Sequence, residues 1–362
     1  MSHDNNKMST HVLIAVMVVL FLHIIVRLRR PSDSVRVHLI EDALGNEVLI
    51  AVGTISGKTM LFMVDTAFAG APVLSTSYLS LPSPSPFLSL EKQYRFVVDG
   101  LHNRVTPDSR HRALSQLLSG HHCRAFTSGC TMRLMGIGST SESQSDLLLC
   151  DGVRFNGGAN FNSDVFVTTS LPSSVHILTM DFLLHRSPCV IMPRRGVMQW
   201  QVTDYLLRSS FEMHEPFYVG GAMRVPMTIG GSALNIVIDT GAAIALSVAS
   251  SSLDKIQRCD LPVTSMKAVQ RGVNGERVCS DMFSTTVSIG RLDLGRVNAF
   301  ANNNDVEGAD GYAGMGLLRM LDLWIEPRRI GFRLSGLEWK TSSAVSEGTC
   351  GATRRTFACT AK

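Results

Sequence analysis

From Ser34 onward the chain alternates short apolar, β-branched runs with clusters of Gly, Ser, Asn and Pro. The runs include VRVHLI, EVLIAVG, TMLFMVD, DVFVTT, MRVPMTIG and FSTTVSIG. Runs of this length and composition, bounded by turn residues, predict β-strands, and their number predicts an all-β protein. Helical periodicity is confined to HRALSQLL from His111 and VASSSLDKIQ from Val248. The expected architecture is two similar β lobes meeting along a cleft.

The strand pattern occurs twice. LFMVDTAFAGAPVLSTSYL from Leu61 and NIVIDTGAAIALSV from Asn235 superpose at an offset of 174. That offset sets Asp65 on Asp239, Thr66 on Thr240, Gly57 on Gly231 and Ala69 on Ala243. A second pair follows downstream, IMPRRGVMQW from Ile191 and IEPRRIGFRL from Ile325, sharing the frame Ile-x-Pro-Arg-Arg. The same order of signatures in each half argues for a duplicated unit. One Asp-Thr-Gly alone is an ordinary turn; two in matched apolar frames are not. A single carboxylate inside an apolar strand costs several kcal/mol (roughly) unless something pairs with it. A second carboxylate from the other repeat would supply a reason to place it there. The first half is longer: 126 residues separate Asp65 from Ile191, and 86 separate Asp239 from Ile325. The excess is expected as a loop-like excursion between Leu81 and Cys130. It opens on LPSPSP, which excludes a central strand.

Length adds a domain plan. The 362 residues, 45% hydrophobic and 18% charged, suffice for real cores and exclude a disordered chain. The plan is a membrane anchor or uncleaved signal segment over 1–30 and a linker over 31–46. A β lobe with a flap follows over 47–200, then an interlobe connection over 201–220. A second lobe covers 221–339, and a disordered tail covers 340–362. The anchor reading rests on VLIAVMVVLFLHIIV, residues 12–26, followed by Arg27, Arg29 and Arg30. This run also fits the apolar region of a signal peptide, but no small-x-small cleavage site follows it. The expected localisation is therefore the membrane, single-pass near the N-terminus. Arg27, Arg29, Arg30 and Arg36 against Lys7 favour a cytoplasmic C-terminal side. The eight cysteines point the other way, since Cys123 with Cys130, or Cys259 with Cys279, could pair in an oxidising compartment. Sidedness stays open.

The remaining chemistry narrows by exclusion. A net charge of +4 without a basic, aromatic-laced stripe argues against nucleic acid. His121, His122, Cys123 and Cys130 match no strong zinc spacing, so no metal is expected. GIGSTS at Gly136 lacks the Lys-Ser/Thr ending of a phosphate-binding loop, and no Gly-x-Ser-x-Gly nucleophile motif occurs.

The residues that remain carry a resemblance. From about Glu47 to Leu334 the chain resembles the bilobal, pepsin-like aspartic peptidases, with a second lobe as lean as a retroviral protease subunit. Three features carry it: the paired hydrophobic-Asp-Thr-Gly/Ala frames, LMGIGSTSESQSDLLLCDGVRFNGG from Leu134, and Tyr312-Ala313-Gly314. The second resembles the family's flap hairpin, and the third its hydrophobic-hydrophobic-Gly element. The chain departs from the family at Ala67 for Gly, at Phe68 and Ala242 for Ser or Thr, and at Met135 for the flap Tyr. It departs again at Ile177-Leu178-Thr179, where the family has hydrophobic-hydrophobic-Gly.

The resemblance implies an aspartic endopeptidase in which Asp65 and Asp239 share a proton and activate a water, with no cofactor. Thr66, Ala67, Thr240 and Gly241 would support the dyad. Met135, Gly136, Ile137, Gly138 and Ser139 would form a flap over an extended peptide or protein substrate. The expected protein is monomeric and held to the membrane through residues 12–26. Loss of hydroxyl donors at Phe68 and Ala242 predicts a less acidic working range than a pepsin's. The alternatives are a catalytically weak or inactive pseudo-protease acting as a peptide-binding module, and a tethered structural protein. The last predicts Asp65 and Asp239 far apart.

Overall fold

The computed structural model describes residues 33–41, 47–79, 85, 87–100, 112, 115, 118–119, 123–135, 140–161, 164–169, 175–219, 221–256, 267–271, 277–302 and 308–336. The protein is mostly β, and the described residues form two sheets of 15 and 8 strands. Each of the six runs named above contributes a strand.

The repeat in the sequence is a repeat in topology. In the first half the sheet order is Glu47–Ile55, Lys58–Asp65, His176–Thr179, Val73–Ser75, Asp164–Thr169, Thr140–Cys150, Cys123–Met135. In the second half it is Ala222–Ile229, Ser232–Ile238, Gly311–Ala313, Leu246–Ala249, Leu292–Asn302, Arg277–Ile289, Lys267–Arg271. The strand directions match as well. His176–Thr179 runs parallel to the Asp65 strand and antiparallel to Val73–Ser75. Gly311–Ala313 has the same relation to Ser232–Ile238 and Leu246–Ala249. Each half therefore inserts a late strand between the Asp-bearing strand and its successor. That insertion holds the chain just after the Asp-bearing strand against a neighbour. The first hairpin of each half turns at equivalent residues, Ser56 (φ 52°) with Gly57 (φ 75°), and Gly230 (φ 53°) with Gly231 (φ 85°). Positive φ at both central positions gives the twist a two-residue hairpin requires.

The Ile-x-Pro-Arg-Arg frames are the corners of two hairpins, Cys189–Met192 with Val197–Trp200, and Leu321–Glu326 with Arg329–Leu334. The hairpins pair antiparallel with each other through Cys189↔Ile325, Val190↔Trp324 and Ile191↔Leu323. Glu212–His214 and the start of Asp33–Glu41 flank them, making a six-stranded antiparallel layer built from both repeats. One face of this layer sends Ile191, Met198, Leu323, Ile325 and Phe332 into the main core, which also takes Phe62, Trp200 and Ile236. The other face packs Val190, Met192, Phe211 and Trp324. Asp322 lies on this outer face, wholly buried, and receives Arg333 through Nη2 at 2.5 Å and Nε at 3.2 Å.

Four stretches differ from expectation. Residues 31–46, expected as a linker, carry the strand Asp33–Glu41, whose first half pairs with Val197–Trp200 and second half with Glu47–Ile55. Residues 201–220, expected as a connection, hold a short helix Tyr205–Ser209 capped by Asp204, and the strands Glu212–His214 and Phe217–Val219. The loop-like excursion contains the helix Leu90–Gly100 and the 13-residue strand Cys123–Met135. Alternation is too weak in CRAFTSGC to announce a strand; the neighbour at Thr140–Cys150 imposes it. VASSSLDKIQ forms a 3-10 turn over Ser250–Lys255 rather than an α-helix. Among the described residues no helix is long and apolar enough to cross a membrane, and the run 12–26 lies outside them.

Candidate active site

The two Asp-Thr turns meet back to back. Thr66 N–H donates to Thr240 Oγ1 at 3.1 Å, and Thr240 N–H donates to Thr66 Oγ1 at 3.0 Å. Each hydroxyl in turn donates across the junction, Thr66 to the Ile238 carbonyl and Thr240 to the Val64 carbonyl, both at 2.7 Å. Both threonines are fully buried. Each hydroxyl thus donates once and accepts once, so its single O–H is used.

This lock brings the second Asp turn against the carboxyl of the first, near enough for Asp65 to feel the charge of Asp239. A methyl group placed on Gly241 would lie 2.5 Å from both the Cγ and Oδ2 of Asp65. Only hydrogen fits between that turn and the opposing carboxylate. The expectation that Asp65 and Asp239 stand far apart, as in a tethered structural protein, is overturned by these contacts. Each carboxylate is also held by its own turn. Asp65 Oδ1 accepts the N–H groups of Ala67 (2.9 Å) and Phe68 (3.1 Å). Asp239 Oδ1 accepts those of Gly241 and Ala242, both at 2.9 Å. Ala67 therefore supplies the same N–H that Gly would. The side chain of Phe68 packs with Met63 against Val73 and Ile177.

Both Asp residues keep some exposed surface, yet protein atoms crowd the carboxyls enough that lost hydration dominates their titration. Burial pushes Asp65 well above the ordinary carboxyl range, and the Asp239 charge adds to it; the Ala67 and Phe68 N–H groups pull the other way. Asp239 is pushed up to about 6 by burial, against the N–H groups of Ala242 and Gly241. Because Asp65 feels the charge of Asp239, the two acids titrate as one unit, shifted upward by burial.

The departure at Thr179 has a structural answer. Thr179 occupies the place that Gly314 holds in the second half, beside the Asp strand. At Gly314 a Cβ would meet the carbonyls of Ile244 and Ala242, the latter at 2.5 Å. In the first half the residue equivalent to Ile244 is Gly70, which adopts φ 94° and has open space around its Cα. The glycine has moved across the contact. Thr179 Oγ1 donates to the Gly70 carbonyl at 2.5 Å and caps the helix Met180–His185, while Gly70 N–H donates to Asp181 Oδ2 at 2.7 Å. The bond that ties each late strand back to the Asp turn is kept in both halves: Met180 N–H to Phe68 O at 2.9 Å, and Met315 N–H to Ala242 O at 2.6 Å.

The hairpin expected to bear the flap is present as Cys123–Met135 with Thr140–Cys150, closing on the pair Met135↔Thr140. Gly136, Ile137, Gly138 and Ser139 lie outside the described residues, as do His121 and His122. Gly152 (φ 68°) then turns the chain into Val153–Phe155, which pairs with Glu47–Ile55. Sequence reasoning passed over Gly70, Asp181 and the Val64 and Ile238 carbonyls. No composition signal marks them, because each matters through a backbone contact with the other repeat or a distant strand. No group of three or more His, Cys, Asp or Glu side chains among the described residues is placed to hold a metal ion.

No protein-family model matches the chain, and no curated protein matches it.

Proposed function

We propose that this protein is an aspartic endopeptidase of the bilobal, pepsin-like type, attached to a membrane through residues 12–26. The observation that carries the reading is the reciprocal Thr66–Thr240 lock, which sets the Asp65 carboxyl against Gly241 of the opposite turn. Two acids of unequal environment, sharing one proton, are suited to divide general base and general acid work. The ionised carboxylate takes a proton from a bound water as that water attacks the peptide carbonyl. The protonated partner hydrogen-bonds the carbonyl oxygen, and the gem-diol collapses as the leaving amine is protonated. The hairpin ending at Met135 would close over an extended substrate and exclude solvent.

The test is cleavage of a peptide library by the full chain, with and without a statine-type transition-state mimic. The expected result is cleavage that the mimic blocks and that Asp239→Asn or Asp65→Asn abolishes. A second reading, peptide binding without cleavage, is favoured by Ala67: a methyl group stands in the first turn where the second offers only hydrogen. Library peptides retained intact, with or without either Asp, would establish that reading instead.

A further inference from the structure

Cys123 and Cys150 face each other at the base of the hairpin Cys123–Met135/Thr140–Cys150. They are direct cross-strand partners, the first residue of one strand opposite the last residue of the other. Their sulfur atoms are 3.1 Å apart, and both side chains are buried. A disulfide needs the sulfurs at about 2.05 Å, so small side-chain rotations suffice and no backbone movement is called for. Cys130, the partner suggested by sequence spacing, stands on the same strand seven positions further on, opposite Ser145. Seven residues of strand span roughly 20 Å, beyond the reach of any disulfide. Cys189 is wholly buried in the main core.

We infer that Cys123 and Cys150 form a disulfide that staples the root of this hairpin. Its place suits the local backbone. Just beyond the pair the ladder shifts register twice, between Ala125 and Thr127 and between Thr127 and Cys130. Hydrogen bonding alone specifies register poorly across such irregularities; a covalent tie below them fixes it. The tie encloses the whole hairpin, so its effect is felt at the Met135–Thr140 end.

The chemistry is thiol–disulfide exchange with a low-molecular-weight disulfide, RSSR, as oxidant. The Cys123 thiolate attacks one sulfur of RSSR, the S–S bond breaks, and RS⁻ leaves with the electron pair. Cys150 Sγ, already at contact distance, attacks Cys123 Sγ of the mixed disulfide and expels the second RS⁻. The two thiol protons end on two RSH; the cysteines are oxidised and RSSR is reduced. Two contacts favour Cys123 as the first nucleophile. The hydrogen bond with Cys150 lowers its pKa against the effect of burial, and Ser56 Oγ, 3.9 Å away, adds to that.

Tryptic cleavage separates the three candidates, because Arg112, Arg124, Arg133 and Arg154 put Cys123, Cys130 and Cys150 on three different peptides. The full chain is treated with glutathione disulfide, alkylated without reductant, digested and read by mass spectrometry. The expected product is the peptide ending at Arg124 linked to the peptide ending at Arg154, with Cys130 alkylated. Dithiothreitol should lower the thermal midpoint by about 5–10 °C in the wild type. In Cys123→Ser/Cys150→Ser it should not move the midpoint. Cys130→Ser should keep both the link and the shift, which guards against a double variant that fails to fold. Alkylation of both Cys123 and Cys150 after oxidation overturns the inference. So does a mixed disulfide that stops at Cys123, or a link from Cys123 to any other cysteine.

Discussion

Thr66 and Thr240 each accept the other's backbone N–H and each donate to the carbonyl just before the other's aspartate, with all four contacts between 2.7 and 3.1 Å. The two turns are thereby one hydrogen-bonded unit. Replacing Thr66 or Thr240 with Val keeps the volume but leaves a buried N–H and a buried carbonyl without partners. Each orphan costs about 1–3 kcal/mol, so a loss of about 2–6 kcal/mol per substitution is expected in urea melts. Thr→Ser, which keeps the hydroxyl, should stay within about 1 kcal/mol of wild type. The double Val variant should lose less than the sum of the singles, since one lock is broken either way.

Gly241→Ala tests the closeness of the dyad. The added methyl would sit 2.5 Å from the Asp65 carboxyl carbon, with no room to retreat while the threonine lock holds. Peptide cleavage should fall by at least about 100-fold, the scale expected when reacting groups are displaced by an ångström. Ala67→Gly is the matched control: it should keep the fold and retain activity, at a stability cost of about 1 kcal/mol or less. Steady-state kinetics with circular dichroism reads both.

The raised carboxyl titrations give a sign to pH dependence. Both acids bind their protons more tightly in the fold than in the unfolded chain, where the ordinary value is 3.8. The stability this provides is complete below about pH 4 and is lost as pH rises through about 6 for Asp239; the raised Asp65 carboxyl contributes with the same sign. Asp239→Asn, which cannot ionise, should therefore gain on wild type with rising pH and exceed it by about 1–3 kcal/mol at pH 8. Urea melts from pH 4 to 8 check this. The proposed mechanism needs one proton on the pair, so the rate should fall as pH drops below about 6, above the acidic range of a pepsin.

Asp322 and Arg333 are a buried charge pair in the six-stranded layer, and Ser210 and Ser335 complete their hydrogen bonds. Asp322→Asn should cost about 3–5 kcal/mol by leaving the guanidinium unneutralised. Joint replacement by Leu and Met should cost less than either change alone. Equilibrium unfolding of the four variants decides it.

The duplication could be read from the sequence because the constraints on each Asp turn are local. The turn needs a small set of residue types in a fixed frame, and both copies kept it. Contacts between distant segments left weaker traces. Thr179 looks like the loss of a required glycine until Gly70, 109 positions earlier, is seen to adopt φ 94° and accept the Thr179 hydroxyl. His176 gives no hint in sequence of being wholly buried. Its Nδ1 accepts the Ser75 N–H, its ring packs on Tyr78 and Phe62, and its pKa is driven to about 3. Cys150 ends an apolar run, DLLLC, that reads as core. Which cysteine it meets depends on a hairpin register that hydrophobic alternation does not specify.

Asp33–Glu41 belongs to both layers, four residues to one neighbour and five to the other. A mechanical load entering at Asp33 is therefore taken first by the ladder with Val197–Trp200 and only then by the ladder with Glu47–Ile55. The Asp65 strand lies beyond the second of these ladders, shielded from the pull for as long as this single ribbon stays in place.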